Sequence, residues 1–148
     1  YDRILVPTDG SDCADRAVEH AIDIASQYDA ELHVLSVVDT RDVSHSAPAI
    51  SPDQVQQTLR DRAESVVEAV AERAEAAGVD AVTAVEPGIP DDVVVEYAED
   101  EDCDLIVMGT HGRTGLERYL LGSVTERTVR RSSVPVLTVR GTDEDGDA

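Results

Sequence analysis

The run Leu105-Ile106-Val107-Met108 enters Gly109 with no polar residue breaking it. A strand without alternation is covered on both faces, as interior strands of parallel sheets are. The segment from Gly109-Thr110-His111-Gly112-Arg113 to Gly122-Ser123 therefore leaves the carboxyl end of an interior strand. Beyond it, Ser123-Val124-Thr125-Glu126 has the pattern of a capping box, which predicts a helix from about Val124 to Ser132. The first N–H groups and positive dipole end of such a helix make a seat for an anion, and Gly109, Gly112 and Gly122 let backbone approach closely. The shape suits a phosphate chain.

Local charge points the same way. Between Gly109 and Arg140 stand Arg113, Arg118, Arg127, Arg130, Arg131 and Arg140, against Glu117 and Glu126 alone. A basic island in a chain of net charge −20 suggests a polyanionic ligand, although any single arginine is as easily explained by the exposed face of a helix.

The rest of the chain alternates strand and helix. Arg3-Ile4-Leu5-Val6-Pro7 is a buried strand ending in the turn Thr8-Asp9-Gly10-Ser11, and Ala14, Ala17, Val18, Ala21, Ile22 and Ala25 recur at helical spacing from Asp12 to about Tyr28. Glu31 to Val38 is a second interior strand. Asp39 to Ile50 is a loop of a length that is either a functional lid or disordered. Ser51-Pro52-Asp53-Gln54 opens the longest helix, whose apolar stripe runs from Val55 through Leu59, Ala63, Val66 and Val70 to Ala77, with Gly78 as its stop. Asp80 to Val85 alternates as a strand near a sheet edge does, Pro87-Gly88 closes it, and Pro90-Asp91-Asp92 opens another helix. Val134 to Val139 is a final strand whose Pro135 suits an edge. An apolar edge needs cover, which predicts a homodimer through that strand, with a crossing loop as the alternative.

Five strands separated by crossovers too long for hairpins predict an α/β fold: a single doubly wound parallel sheet with helices on both faces. Ligands bind such sheets outside the carboxyl ends of the strands where the winding reverses, so Thr8-Asp9-Gly10 and the Gly109 loop are expected to face each other across a crevice. The expected domain is 1–140, followed by an acidic disordered tail, 141–148.

Composition narrows the function classes. At 148 residues the chain fits one domain able to bury roughly two thirds of its unfolded surface. No apolar run approaches the ~20 residues of a membrane span and no signal-peptide pattern precedes Ile4, which predicts a cytoplasmic protein away from membranes. Cys13 and Cys103 read as reduced, buried residues, and His20, His33, His45 and His111 are too scattered for a metal centre. The 32 acids against 12 arginines, with no lysine, read as a halophilic surface and disfavour nucleic acid as a partner. Without lysine there is no Walker A motif, and no Gly-x-Gly-x-x-Gly fingerprint marks a dinucleotide enzyme.

The spacing Gly109-x2-Gly112-x9-Gly122-Ser123, together with Val6-Pro7-Thr8-Asp9-Gly10-Ser11, Val37-Val38-Asp39, Gly88-Ile89-Pro90 and Val134-Pro135-Val136-Leu137, resembles the ATP-binding branch of the universal stress proteins across nearly the whole chain. That resemblance implies strand order 3-2-1-4-5, a homodimer through the last strand, and ATP, with magnesium or manganese, bound without a dedicated reaction and hence at most a slow ATPase. Carried over by position, it implies Asp9 and the backbone of Val37 at the adenine, Pro7 and Thr8 lining the pocket, and Met108 and Gly109 at the ribose. Thr110 and His111 would belong to the same loop. Gly112, Arg113, Gly122, Ser123, Val124 and Thr125 would surround the phosphates, through backbone N–H groups and the hydroxyls of Ser123 and Thr125. Arg113 stands where some relatives carry lysine, keeping the charge and adding a planar fork. His111, with no carboxylate paired to it in sequence, is expected to face solvent rather than serve as a base. The alternatives left open are an enzyme on the same sheet, either a slow ATPase or a nucleotidyl transferase, and a nucleotide-free interaction module.

Overall fold

Alternating side chains on three interior strands divide the core in two. In the computed structural model, which describes residues 1–41, 51–111 and 121–141, β1 spans Arg3–Pro7, β2 Glu31–Asp39 and β4 Leu105–Gly109. Ile4, Val6, Leu32, Val34, Leu105 and Val107 point to one face, where α1 (Asp12–Tyr28) and α2 (Pro52–Ala76) supply Ala17, Val18, Ala21, Ala25, Val67, Val70 and Ala74. Leu5, Leu35, Ile106 and Met108 point to the other, against Val94 and Ala98 of α3 (Pro90–Asp100) and Val124 of α4 (Ser123–Arg131). Ile4, Leu5 and Val6 are 0% exposed. At about 1.5–3 kcal/mol for each large apolar side chain buried, this short central strand is worth more to the fold than its length suggests.

With β3 (Ala81–Gly88) and β5 (Val136–Val139), the strands form one parallel sheet in the order β3-β2-β1-β4-β5, as the resemblance implies. The chain winds outward from β1 to β3 and then restarts at β4 on the other side of β1, where Ile4 pairs with Leu105 and Leu5 with Ile106. That reversal opens a crevice beyond Pro7 and Gly109.

The helix starts follow local chemistry, with one departure. Ser11 accepts from the Ala14 N–H at 3.3 Å and Ser51 from the Gln54 N–H at 3.2 Å, while Pro52 and Pro90 occupy first-turn positions. The capping box at Ser123 does not form. Gly122 is the N-cap, no side chain caps the helix, and α4 runs one residue ahead of the expected range. β3 and β5 lie at the two edges as expected, although β3 continues through Pro87 to Gly88 and β5 starts at Val136 rather than Val134. Most of the Asp39–Ile50 loop and the tail from residue 142 lie outside the described residues. No described helix is long and apolar enough to cross a membrane.

Candidate functional site

The turn after β1 is built by its own polar side chains. The Thr8 N–H donates to the Leu35 carbonyl at 2.8 Å, carrying the β1–β2 pairing past Pro7. The Thr8 hydroxyl then accepts from the Gly10 N–H at 3.1 Å, and Asp9 Oδ1 from the Ser11 N–H at 3.0 Å. These contacts fix Asp9 at the mouth of the crevice, while Gly10 takes φ +80°, a conformation that suits glycine.

Across the crevice, the end of β4 is tied to the head of α4. The Gly122 N–H donates to the Thr110 carbonyl at 2.7 Å, and the Thr125 hydroxyl donates to the Gly109 carbonyl at 2.8 Å. Thr125 is buried, so its hydroxyl hydrogen serves the fold and its N–H is what it can offer a ligand. The first N–H of α4 to find a carbonyl within the helix is that of Glu126, which donates to Gly122 at 2.9 Å. The N–H groups of Ser123, Val124 and Thr125 therefore have no acceptor among the described residues, at the positive end of an uncapped helix.

Between these walls lies a cavity of about 570 Å³. Of the residues expected to form the site, Pro7, Thr8, Asp9, Val37, Met108, Gly109, His111, Gly122, Ser123, Val124 and Thr125 all line it. Thr110 does not. Its hydroxyl lies 3.6 Å from the Cys13 sulfur and 3.3 Å from His111 Nδ1, and its N–H donates to the Val139 carbonyl. His111, expected in solvent, is half-buried in the cavity wall. Gly112 and Arg113 lie outside the described residues. Gly109 is glycine for a reason other than ligand approach: a Cβ there would stand 2.8 Å from the Cys13 sulfur and 3.0 Å from its backbone.

Among the described residues, the arginines of α4 do not converge on the cavity. Arg131 donates to Asp91 at 2.8 Å and also to Asp92, Arg127 lies 3.7 Å from Asp91, and Arg130 pairs with Glu126 at 2.9 Å. The arginines of α4 thus clamp it to the acidic start of α3 or to itself. Hydrogen bonds to Asp92 and Asp91 raise the pKa of Arg131 further. Arg118 is outside the described residues.

Among the described residues, the cavity's cations come from elements that carried no such expectation. Arg41 follows β2, and its guanidinium meets both oxygens of Asp39 at 2.9 and 2.7 Å, holding that carboxyl below its ordinary pKa. Arg62 comes from α2, beside Leu59 and Ala63. A signal for Arg62 was present in the sequence: positions three and four residues away hold Thr58, Leu59, Ser65 and Val66, so its own helix offers it no facing acid.

The same fold recurs in known proteins. The Universal stress protein family profile matches residues 1–140. Universal stress protein MJ0531 of Methanocaldococcus jannaschii is 41% identical over 140 residues, covering 95% of this chain and 82% of that protein. The solved structure of hypothetical protein MJ0577, from the same organism, superposes with a TM-score of 0.87 at 33% identity, covering 97% of this chain and 99% of that one. A universal stress protein solved in complex with cAMP superposes at TM-score 0.71 and 30% identity, covering 96% of this chain and 98% of that one.

Proposed function

The chain belongs to the universal stress protein family, and from that membership we propose that it binds ATP in the crevice beyond β1 and β4 and acts as a nucleotide-dependent stress or signalling module. The observation that carries this reading is the uncapped head of α4, whose N–H groups at Ser123, Val124 and Thr125 have no acceptor among the described residues and open on a cavity of about 570 Å³. Backbone donors at a helix start are a ready seat for phosphate. A relative solved with cAMP supports an adenine nucleotide as the ligand class.

In this reading Asp9 and the backbone of Val37 meet the adenine, Pro7 and Thr8 line its pocket, and Met108 and Gly109 pack on the ribose. The triphosphate runs past His111 to Gly122 and the α4 head, with magnesium or manganese arriving on the phosphates. Gly112 and Arg113 complete the loop by resemblance alone. A homodimer would form through β5, whose Leu137 is 38% exposed. The acidic surface fits a protein that works in high salt.

Calorimetric titration with ATP and Mg²⁺ in concentrated salt tests the proposal. Saturable heat at one site per chain is expected, with cAMP competing; no heat from any adenine nucleotide would overturn it. Phosphate release below the ~1 per second typical of enzymes is expected from the same samples.

A further inference from the structure

Arg62 occupies a place that the phosphate seat does not explain. Helix α2 has 25 residues and β2, beside it, has 9. At ~1.5 Å per helical and ~3.3 Å per strand residue, α2 is about 37 Å long against about 30 Å of strand. The buried residues of α2 are Ala63, Val67, Val70 and Ala74, so the turns before Ala63 have no buried side chain, and Leu59 and Arg62 line the cavity there. Arg62 also lines a second hollow of about 370 Å³ between α1 and α2, together with Gly10 and Val66. It therefore stands on the side of the β1 turn, sharing that hollow with Gly10, and on the opposite face of the sheet from α4.

Its charge is uncommitted among the described residues. Arg60 pairs with Glu64 at 3.6 Å and Arg73 with Asp15 at 3.5 Å, whereas Arg62 has no ion pair in a chain where acids far outnumber cations. The cavity also offers few flat surfaces. The chain contains no Phe and no Trp, and no tyrosine lines the cavity among the described residues. The His111 ring is on the α4 side, its Cβ within 3.3 Å of where a Gly122 Cβ would stand. A guanidinium is planar and weakly hydrated, and it stacks on aromatic faces.

We propose that Arg62 lays its guanidinium against the face of the bound base, and so sets nucleotide affinity at the end of the site away from the phosphates. This rests on the ATP-binding reading above. The test compares wild type, Arg62→Ala and Arg62→Lys, with thermal midpoints confirming that each is folded. Binding of Mg-ATP is measured directly, and inorganic tripolyphosphate is measured by displacement of a fluorescent ATP analogue. Arg62→Ala is expected to weaken ATP about 5- to 30-fold, the span from an exposed to a desolvated cation–aromatic contact, and to leave tripolyphosphate within two-fold. Arg62→Lys keeps charge without the plane and is expected to lose at least half of that effect. Equal loss for both ligands would make Arg62 a phosphate contact, unchanged ATP affinity would make it a solvent side chain, and full rescue by lysine would make its charge the active property; each overturns the inference. Failure of wild type to bind ATP would instead overturn the function on which it rests.

Discussion

The Gly122 nitrogen lies 2.7 Å from the Thr110 carbonyl, and a Cβ on Gly122 would meet His111 Cα at 3.1 Å. Its bare α-carbon thus faces the loop leaving β4 rather than open cavity, so Gly122→Ala acts by pushing Thr110 and His111 outward. We expect about ten-fold weaker ATP binding with little change in thermal midpoint, because the displaced segment is a loop; unchanged affinity would mean that the loop yields without disturbing the site. Thr125 predicts the opposite balance. Thr125→Val keeps shape but removes the donor from the buried Gly109 carbonyl, and a buried acceptor left unmet costs about 1–3 kcal/mol. Urea denaturation should show that loss of stability, while the backbone donor of residue 125 stays in place.

Helix α3 is fastened to the sheet through the Tyr97 hydroxyl. Tyr97 hydrogen-bonds the buried His33 at 2.8 Å, and His33 reaches Glu31 at 2.7 Å through its other nitrogen. Burial, with Glu101 adding, pushes the Tyr97 hydroxyl up to about 12 from 10.0, and burial likewise pushes the Cys103 thiol up to about 12 from 9.0. Between those ordinary and raised values the folded chain holds protons that the unfolded chain releases, so stability falls as pH rises. The contribution is whole below pH 9 and lost towards pH 12. Urea midpoints should therefore decline from pH 9 to 11, and the decline should flatten in a Tyr97→Phe, Cys103→Ala double variant; an equal slope in that variant would place the alkaline weakness elsewhere. Nothing in local sequence pairs His33 with Tyr97, which are 64 residues apart. The elements themselves were legible because β1, β2 and β4 are apolar on both faces and because Ser11, Ser51, Pro52 and Pro90 mark helix starts. What escaped was tertiary. Gly122 displaces Ser123 as cap, Asp91 and Asp92 of α3 absorb arginines of α4, and the packing of α2 on the sheet brings Arg62 to the cavity from a stretch that in sequence is only an amphipathic helix.

At the scale of the whole molecule, the net charge of −20 opposes any anionic ligand. Among the described residues the charged groups lining the cavity are Asp9, Asp39, Arg41 and Arg62, which cancel, and Asp39 already neutralises Arg41. Attraction for a triphosphate then comes from short-range backbone donors, which salt screens weakly, whereas repulsion comes from distant surface carboxylates, which salt screens strongly. The Debye length falls from about 10 Å at 0.1 M to about 3 Å at 1 M. ATP affinity is therefore expected to hold or rise between 0.1 and 1 M KCl, opposite to the steep loss seen when exposed arginines and lysines neutralise phosphates. A calorimetric series across that range, with Mg²⁺ in constant excess, measures the sign directly. A fall of ten-fold or more would assign the binding energy to exposed arginines rather than to the peptide groups of α4, and would return weight to the basic residues on either side of that helix.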